Sequence, residues 1–443
     1  MEKDLCSLVK DAGIVGAGGA GFPTHVKLNA KAEYVILNGA ECEPLLRVDQ
    51  QLMAIESRKI LDGLKLVKEH VGAKYAVIAL KEKYKEAIYS LESIIREYSG
   101  ISIHKLKNFY PAGDEQVIVY EVTGRIVPEG GIPLNVGAIV SNVETIVNLY
   151  NAYYNDAPVT EKYVTVTGEV KSPKTLKLPI GVSIEDAINL AGGPTIENFV
   201  VINGGPMMGK IVDIKNPITK TTKGLIVLPK NHSLVNSLTK DINKMLKEAK
   251  AACMHCSHCS EVCPRNLIGH SIYPDKMMRL ASYGDLCDEK ITPVNAFLCC
   301  ECRLCEYACV MDLQPWKLHN SLKKTMSANG IKNSCNNAPK SAHPFREYKR
   351  YPVSKLIYKL GLNSYDVKAP ISDVSTSSKT VSILLSQHIG APSTPVVNIG
   401  DKVFKGDLIA KVEDNKLGSN IHSSVDGVIS DIRDNMIIIN RGM

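Results

Sequence analysis

The sequence predicts a multidomain protein of mixed α/β and α+β class, and three observations support this prediction. The chain has 443 residues, which is more than one hydrophobic core usually serves. In the first third, apolar runs typical of buried strands alternate with helical periods, as in a sheet covered by helices. Eight of the thirteen cysteines fall in two short runs in a later part of the chain. A separate unit is therefore expected around those cysteines.

The composition is that of an ordinary globular protein. Hydrophobic residues make up 44%, charged residues 22% and aromatic residues 6%, which excludes a fibrous or wholly disordered chain. No apolar run approaches the roughly 18 residues of a membrane helix, and the N-terminus lacks the apolar segment of a signal peptide. The net charge of +7 is spread without long basic runs, so no nucleic-acid partner is expected. We expect a cytoplasmic protein.

The first unit, residues 1–155, is predicted to be an α/β domain. Its apolar runs predict strands at 34–37, 75–80 and 101–106, and its apolar periods predict helices at 5–12, 51–71 and 84–98. Strands that alternate with helices in this way indicate a sheet with helices packed on it.

The rest of the chain divides into four further units. Residues 156–230 form a small α+β unit in which Ser183 begins a short helix. Residues 231–330 contain one predicted helix at 234–249, followed by the cysteine runs. Residues 331–378 have few apolar runs and are interpreted as a linker or a wrapping segment. Residues 379–443 alternate valine and isoleucine with glycine turns, which predicts a small all-β module.

The cysteine runs are the strongest functional signal. The first is Cys253-x2-Cys256-x2-Cys259-x3-Cys263, and the second repeats the spacing as Cys299-x2-Cys302-x2-Cys305-x3-Cys309. In two-cluster ferredoxins the fourth cysteine of such a run ligates the other cluster. We therefore predict one [4Fe-4S] cluster at Cys253, Cys256, Cys259 and Cys309, and a second at Cys299, Cys302, Cys305 and Cys263. Zinc is the alternative, but zinc motifs use two Cys-x2-Cys pairs rather than four cysteines in one run.

Two details depart from the ferredoxin pattern. Val310 stands after Cys309, where a proline would be expected, and Cys300 offers a competing thiol beside Cys299. The lone Cys6, Cys287 and Cys335 are expected to be ordinary thiols.

A glycine loop lies near the N-terminus, with Gly16, Gly18, Gly19 and Gly21 before Phe22 and a proline. It satisfies G-x-G-x-x-G, but a dinucleotide fold needs a strand before the loop, and here a helix is predicted there. Closely spaced glycines can still expose backbone N–H groups to a phosphate. A nucleotide or flavin site and a plain flexible loop both remain open.

A second polar loop, residues 38–44, follows the predicted strand at 34–37. Ligands bind α/β sheets at the carboxyl ends of strands. The carboxylates of Glu41 and Glu43 are suited to accept ribose hydroxyls, although such loops are more often simply solvated.

These loops, together with Ala112-Gly113-Asp114-Glu115 and Ser141-Asn142-Val143-Glu144-Thr145, resemble the FMN-binding, NADH-oxidising subunit of respiratory complex I in content and order. Over nearly its whole length the chain resembles the C subunit of the Rnf electron-transport complex and its soluble relatives. Those relatives are the cobalamin reductases of propanediol-utilisation microcompartments and the electron-transfer protein associated with proline reductase.

The resemblance implies a function for each unit. By this resemblance, residues 1–155 are expected to be an FMN and NADH domain like the complex I flavin subunit. Residues 156–230 are expected to be a soluble-ligand-binding β-grasp (SLBB) module. Residues 231–330 become a helical ferredoxin domain with two [4Fe-4S] clusters, 331–378 a linker, and 379–443 a barrel-sandwich hybrid module. This last module stands first in the Rnf subunit. It lacks a carrier lysine at Ser424-Val425-Asp426, so no swinging arm is expected.

The resemblance also implies the cofactor contacts. The matching positions are the glycines Gly16, Gly18, Gly19 and Gly21, Phe22 for stacking, Lys27 for phosphate charge, and the polar Asn38, Glu41, Glu43, Asp114, Glu115 and Asn142. Two positions differ from the complex I subunit, because Ala40 replaces an acid and Cys42 replaces a serine.

The electron count of each cofactor indicates a mechanism. NADH releases a hydride, clusters take single electrons, and a flavin converts between the two. We predict an NADH-dependent oxidoreductase that passes electrons through FMN and two clusters to a protein acceptor or a corrinoid, without catalytic side chains. One alternative is a peripheral subunit of a membrane Rnf-type complex at the inner membrane face, and another is a non-enzymatic corrinoid-binding or scaffold protein. Residence in a bacterial microcompartment and oligomer formation remain open.

Overall fold

The computed structural model describes residues 4–284, 292–374, 376, 378–433 and 435–442. Cys287 lies outside the described residues. Among those described, no helix has the length and apolarity needed to cross a membrane.

The first domain is an α/β layer structure, as predicted. Its strands are β1 (Tyr34–Gly39), β2 (Tyr75–Lys81), β3 (Ile101–Leu106), β4 (Phe109–Tyr110) and β5 (Ala138–Asn142). Its helices are α1 (Leu5–Asp11), α2 (Thr24–Leu28), α3 (Val48–Ile55), α4 (Ser57–His70), α5 (Lys85–Ile94), α6 (Glu115–Thr123) and α7 (Val143–Asn155), with 3-10 turns at Ile95–Glu97 and Pro133–Val136.

The main sheet of this domain is parallel, with strand order β3-β2-β1-β5. The chain moves outward from β1 to β3 and then returns to the other side of β1, so the strand order reverses between β1 and β5. Ligands of open α/β sheets bind at such a reversal, outside the carboxyl ends of the strands. Asn38 and Asn142 are cross-strand partners there.

The single helix predicted at 51–71 is wrong, because Glu56 breaks it into α3 and α4 with φ −117°. Leu52 and Ile60, one on each helix, are both completely buried in the same core. The apolar period therefore continues across the break, and periodicity alone does not reveal the bend.

The second unit is built on a mixed sheet. Its elements are β6 (Glu161–Gly168), β7 (Lys174–Pro179), α8 (Ile184–Leu190), β8 (Phe199–Asn203), β9 (Lys210–Val212) and β10 (Gly224–Pro229), in the strand order β12-β7-β6-β10-β8-β9, where β12 is Ile371–Ser372. The Ser183 hydroxyl accepts from the Asp186 N–H at 3.0 Å, so the predicted helix start is confirmed.

The cysteine region is helical. Its helices are α9 (Ser233–Thr239), α10 (Ile242–Ala252), α11 (His258–Glu261), α12 (Pro264–Leu267), α13 (Pro274–Tyr283), α14 (Leu304–Ala308) and α15 (Pro315–Ala328), with a 3-10 turn at Pro293–Leu298. The single helix predicted at 234–249 is wrong. The Asp241 carboxylate caps a new helix by accepting from the Lys244 N–H at 3.0 Å, and this local bond competes with continuation of α9.

The segment after α15 packs against the first domain. It contains α16 (Arg346–Lys349), β11 (Tyr351–Pro352), α17 (Val353–Lys359), a 3-10 turn at Asn363–Tyr365, and β12. Strand β11 pairs with β4, and Arg346 and Arg350 both form ion pairs with Glu121. These contacts favour the wrapping interpretation of the segment over a free linker.

The last unit is all-β, as predicted. Its strands are β13 (Thr380–Leu384), β14 (Thr394–Pro395), β15 (Lys402–Val403), β16 (Leu408–Lys411), β17 (Ile421–His422), β18 (Gly427–Arg433) and β19 (Met436–Asn440), in the orders β13-β19-β18-β15 and β14-β16-β17. It packs on the first two units through Lys220, whose ammonium donates to the carbonyls of Gly13 and Asn420, both at 2.7 Å.

Candidate functional site

The glycine loop lies on the carboxyl edge of the first sheet, where the strand order reverses. A Cβ added to Gly18 would lie 2.6 Å from the Asn142 amide nitrogen, so the loop backbone rests directly on Asn142. The Ala17 N–H donates to the Thr145 hydroxyl at 2.9 Å. A Cβ added to Gly19 would meet nothing within 4 Å. The loop is therefore fixed on its inner side and open at Gly19.

The far end of this loop meets two other units. Gly21 has φ +76°, and a Cβ there would lie 2.8 Å from Thr221 and 3.0 Å from His388. Glycine is required both for this conformation and for this close approach. The β-grasp and C-terminal units thus close one end of the loop.

Lys27, Phe22 and Glu115 are brought together beside the loop. The Lys27 ammonium pairs with the Glu115 carboxylate at 2.6 Å and donates to the Val140 carbonyl at 3.1 Å. The same ammonium lies 5.9 Å from the Phe22 ring centroid. The positive charge of Lys27 is thus partly neutralised at this edge.

Gly113 is held at the edge by the second polar loop. The Asn38 amide donates to the Gly113 carbonyl at 2.8 Å, and the Cys42 sulfur accepts from the Gly113 N–H. Burial raises the pKa of Cys42 to about 11, so its thiol is protonated at neutral pH. Cys42, which replaces a serine of the complex I subunit, therefore takes part in positioning Gly113.

Glu41 has both carboxylate oxygens engaged with protein donors. They accept from the N–H groups of Asp49 at 2.8 Å and Gln50 at 3.2 Å, at the start of α3. Burial, followed by the nearby Asp49, raises the pKa of Glu41. Its ribose contact remains a prediction, since in this structure the side chain stabilises a helix start.

Glu43 is also engaged, across a domain interface. Its oxygens accept from the N–H groups of Met207 at 2.8 Å and Met208 at 3.0 Å, both in the β-grasp unit. Burial raises the pKa of Glu43 to about 7. The predicted ribose contact of Glu43 likewise remains untested.

Sequence reasoning missed four charged residues beneath the glycine loop. Asp49 accepts from the Asn142 amide at 2.9 Å and pairs with Lys223. Lys162 pairs with Glu144 in a fully buried contact and donates to the Ala17 carbonyl at 3.1 Å. Both lysines come from the β-grasp unit, and no local motif marks them.

The residues at this edge suit FMN by their chemistry. A phosphate needs backbone N–H donors with free space near them, and the loop leaves open space beside Gly19. Flavin N–H and ribityl hydroxyl groups need acceptors, and Asp49 has a buried Oδ1 without a partner among the described residues. The side-chain oxygens of Asn38 and Asn142 lie at the same edge.

The structure brings the first predicted set of cysteines together. Cys253, Cys256, Cys259 and Cys309 line one small cavity, together with His255, Asp275 and several apolar residues. The exposed apolar side chains at this site are Met254 (67% exposed), Val310 (56%) and Met311 (42%). Cys256 is itself exposed, so this set lies at the protein surface.

The second predicted set is also brought together, but in the interior. Cys263, Cys302 and Cys305 are each 8% exposed. Their thiols lie close enough that Cys263 and Cys305 both raise the pKa of Cys302, after the larger effects of Cys300 and burial. Cys263 also contributes to the raised pKa of Cys299. Each fourth cysteine thus lies near the other run, and the crossed ligation itself stays a prediction.

Both runs use the same backbone turn. His255 and Ser257 have φ of +52° and +62°, and the equivalent Glu301 and Arg303 have +56° and +61°. Residues in the left-handed backbone conformation, repeated at this spacing, turn the chain so that successive cysteines face one centre.

The second set adjoins the edge that carries the glycine loop. The Tyr110 hydroxyl donates to the Cys302 carbonyl at 2.9 Å. Arg265, two residues after Cys263, pairs with Asp114 at 2.8 Å. Asp114 caps helix α6 directly after Gly113. One interface therefore joins the buried cysteines to the proposed flavin edge.

Four family models match the chain. Residues 9–151 match the Nuo51 FMN-binding domain, 163–210 the SLBB domain, 252–314 the 4Fe-4S dicluster domain and 362–443 the RnfC barrel sandwich hybrid domain. The predicted fold class is confirmed, as are FMN and [4Fe-4S] clusters as cofactors, while NADH stays a prediction.

Three relatives are similar over long stretches. Cobalamin reductase PduS of Citrobacter freundii is 39% identical over 98% of this chain and 96% of its own length. The protein of the same name from Salmonella typhimurium is 40% identical over the same shares. The C subunit of the Na(+)-translocating ferredoxin:NAD(+) oxidoreductase complex of Acetobacterium woodii is 35% identical over 60% of this chain and 59% of its own length.

Proposed function

The chain belongs to the family of PduS cobalamin reductases, and from this premise we propose that it transfers electrons from NADH to a corrinoid. The observation that carries the proposal is the shared interface between the glycine-loop edge and the buried second cysteine set, made by Tyr110 with Cys302 and by Asp114 with Arg265. A hydride acceptor and a one-electron carrier held on either side of this interface would be close neighbours.

The flavin site is proposed at the reversal of the first sheet. Backbone N–H groups around Gly18 and Gly19 bind the phosphate, and Asn38 and Asn142 orient the ligand from the strand ends. Bound FMN supplies the chemistry that accepts a hydride and releases single electrons. The buried Lys162–Glu144 pair supports the loop from below and does not contact the ligand.

The cluster ligands are proposed as the two crossed sets. Cys299, Cys302, Cys305 and Cys263 hold a cluster beside the flavin edge, and Cys253, Cys256, Cys259 and Cys309 hold one near the surface. The second set excludes water by burial, while the first set is open at Cys256. This placement supports an order in which electrons enter at the second set and leave at the first.

A corrinoid is proposed as the acceptor because the PduS relatives match this chain over 98% of its length. The Rnf-type relative matches over 60%. A membrane complex is therefore the less favoured of the two assignments, with a protein partner as its acceptor.

The test uses anaerobically purified full-length protein. NADH should bleach the flavin absorbance, and added cob(III)alamin should then be reduced, as followed by its visible spectrum. Cys256→Ser should still bleach its flavin with NADH but reduce cobalamin far more slowly, while Cys6→Ser, which removes a thiol of helix α1 away from both cysteine sets, serves as the matched control. If the wild-type flavin bleaches and cobalamin stays oxidised, the acceptor is a different molecule. If the flavin stays oxidised, NADH is not the donor.

A further inference from the structure

Arg265 lies between the two proposed redox sites. It follows Cys263 by two residues, and its Nη2 pairs with Asp114 Oδ2 at 2.8 Å. The two side chains are 14% and 10% exposed. The guanidinium is thus a nearly buried positive charge at the interface between the cluster domain and the flavin domain.

The position of this guanidinium is tightly fixed. Asp114 uses its other oxygen, Oδ1, to accept from the N–H groups of Gln116 at 3.2 Å and Val117 at 3.1 Å, at the start of helix α6. Because the carboxylate is anchored to a helix, the arginine that pairs with it is anchored as well. The planar fork of the guanidinium then fixes the direction of its remaining N–H groups.

One of those remaining groups has no partner. The Nε atom of Arg265 is buried and makes no hydrogen bond among the described residues. A buried donor without an acceptor is strongly unfavourable, more so when it carries charge. Besides Asp114, the groups that act on the Arg265 charge are the thiols of Cys300 and Cys263. The unpartnered Nε–H thus belongs to a guanidinium that has the thiols of Cys300 and Cys263, a member of the second cysteine set, among its neighbours.

We propose that Arg265 donates its Nε–H to the sulfur atoms of the cluster held by the second set and raises the reduction potential of that cluster. Reduction adds one electron and one negative charge to the cluster, and the fixed positive charge and N–H stabilise that charge without any proton transfer. Arg265 would thus act on the cofactor directly, through its charge and one hydrogen bond. The inference rests on the cysteine assignment proposed above.

The first set has the opposite surroundings. The acidic Asp275 lines its cavity and contributes to the raised pKa of Cys259, and His255 lines the cavity as well. No lysine or arginine is among the described residues that line it. The second set also has a neighbouring acid, because Glu306 contributes to the raised pKa of Cys305. The difference between the sets is therefore the Arg265 donor, which predicts a higher potential for the second cluster than for the first.

The experiment is an EPR-monitored redox titration of full-length Arg265→Gln, Arg265→Lys and wild-type protein, with iron content measured on the same samples. In Arg265→Gln one of the two cluster midpoints should fall by about 59 mV, which is a tenfold change in a one-electron equilibrium, and the other should not move. Arg265→Lys keeps the charge but lacks the Nε donor, so its shift should be smaller. Arg58→Gln, which breaks an exposed ion pair with Glu97, is the matched control.

Unchanged midpoints in a Gln variant with full iron content would overturn the inference. Should Arg265→Gln lose iron, the midpoints of Arg265→Lys decide, and again the absence of a shift would reject the inference. Wild-type protein with fewer than about eight iron atoms would overturn the cysteine assignment itself, and the inference with it.

Discussion

The two cysteine sets share their spacing and backbone conformation, yet they lie in different surroundings. The second set is buried at a domain interface, and its neighbouring cations Arg265 and Lys323 are paired with Asp114 and Glu301. The first set is open at Cys256, is flanked by exposed methionines and has the acidic Asp275 beside it. A local sequence repeat therefore produces equal backbone conformation, while tertiary packing gives the two sets different surroundings.

This difference matters because the potential of an iron–sulfur cluster depends on net charge, hydrogen bonds and solvent exposure. By the hydrogen-bond donor proposed for Arg265, the cluster of the second set should hold an electron more readily than that of the first. An electron that leaves through the first cluster therefore moves from the higher to the lower reduction potential. It does so at the protein surface, where an acceptor has access.

The largest expected effect comes from removing one ligand of each set. Cys256→Ser should keep its flavin and about four of eight iron atoms, because an exposed ligand can be lost without disturbing the domain interface. Cys302→Ser should lose flavin as well as iron, because Cys302 packs in a core that also contains Tyr110. Iron analysis and flavin absorbance of the purified variants test this. Equal losses in both variants would show that burial does not distinguish the sets.

The next effect concerns electron entry. Gly19→Val should abolish flavin binding and melt at the temperature of flavin-free wild-type protein, because its side chain would project into open space that the ligand needs. Gly18→Val should instead destabilise the fold, since its side chain would overlap Asn142. In Gly19→Val, NADH should reduce neither cluster, whereas dithionite should reduce both. NADH-dependent cluster reduction in that variant would place the flavin elsewhere.

A smaller effect is expected from neutralising the acid beside the first set. Asp275→Asn should raise the reduction potential of the first cluster, because it removes a negative charge beside it. The reduction equilibrium should change only on the order of a few-fold, because a partly exposed charge is screened. The second midpoint should not move. EPR-monitored titration measures both, and Asp186→Asn in the β-grasp unit serves as the control. A shift in the second midpoint alone would reverse the assignment of the two sites.

The smallest effect is a pH dependence. Burial raises the pKa of Glu43 to about 7, so this carboxyl is neutral below pH 7 and negative above it. Arg303, which lies in the loop of the second set, is near enough to Glu43 to lower its pKa. The second midpoint should therefore fall slightly as pH rises through 7, and Glu43→Gln should remove that slope. A slope that persists in Glu43→Gln would assign the effect to another group.

Part of this arrangement could be predicted from the sequence. The cysteine spacing predicted which side chains would meet, because the geometry that lets four thiols surround one cluster is local and repeated. Asn38 was predicted at the carboxyl end of a strand, whereas Asn142 was indicated only by the family resemblance, and the structure shows that both end neighbouring strands of one parallel sheet.

The remaining features depend on contacts between distant segments. Lys162 lies at the start of a strand whose pattern resembles any half-buried strand, and only the fold shows that it is 1% exposed against Glu144. The carboxylates of Glu41 and Glu43 look free in the sequence, because backbone donors such as the Met207 N–H have no sequence signature. The bends at Glu56 and Asp241 were hidden for a related reason, since each pair of helices keeps one continuous apolar period.

The contacts of the C-terminal module with helix α1 suggest how chain order can change while the architecture is kept. Lys10 in α1 pairs with Asp414 at 3.2 Å, and Lys220 joins the Gly13 carbonyl to that of Asn420. The module therefore lies beside the segment that begins the flavin domain. A chain that carried the same module ahead of α1 could reach the same place with a short connection, as in a circular permutation. Such a chain would differ from this one in linkage rather than in shape.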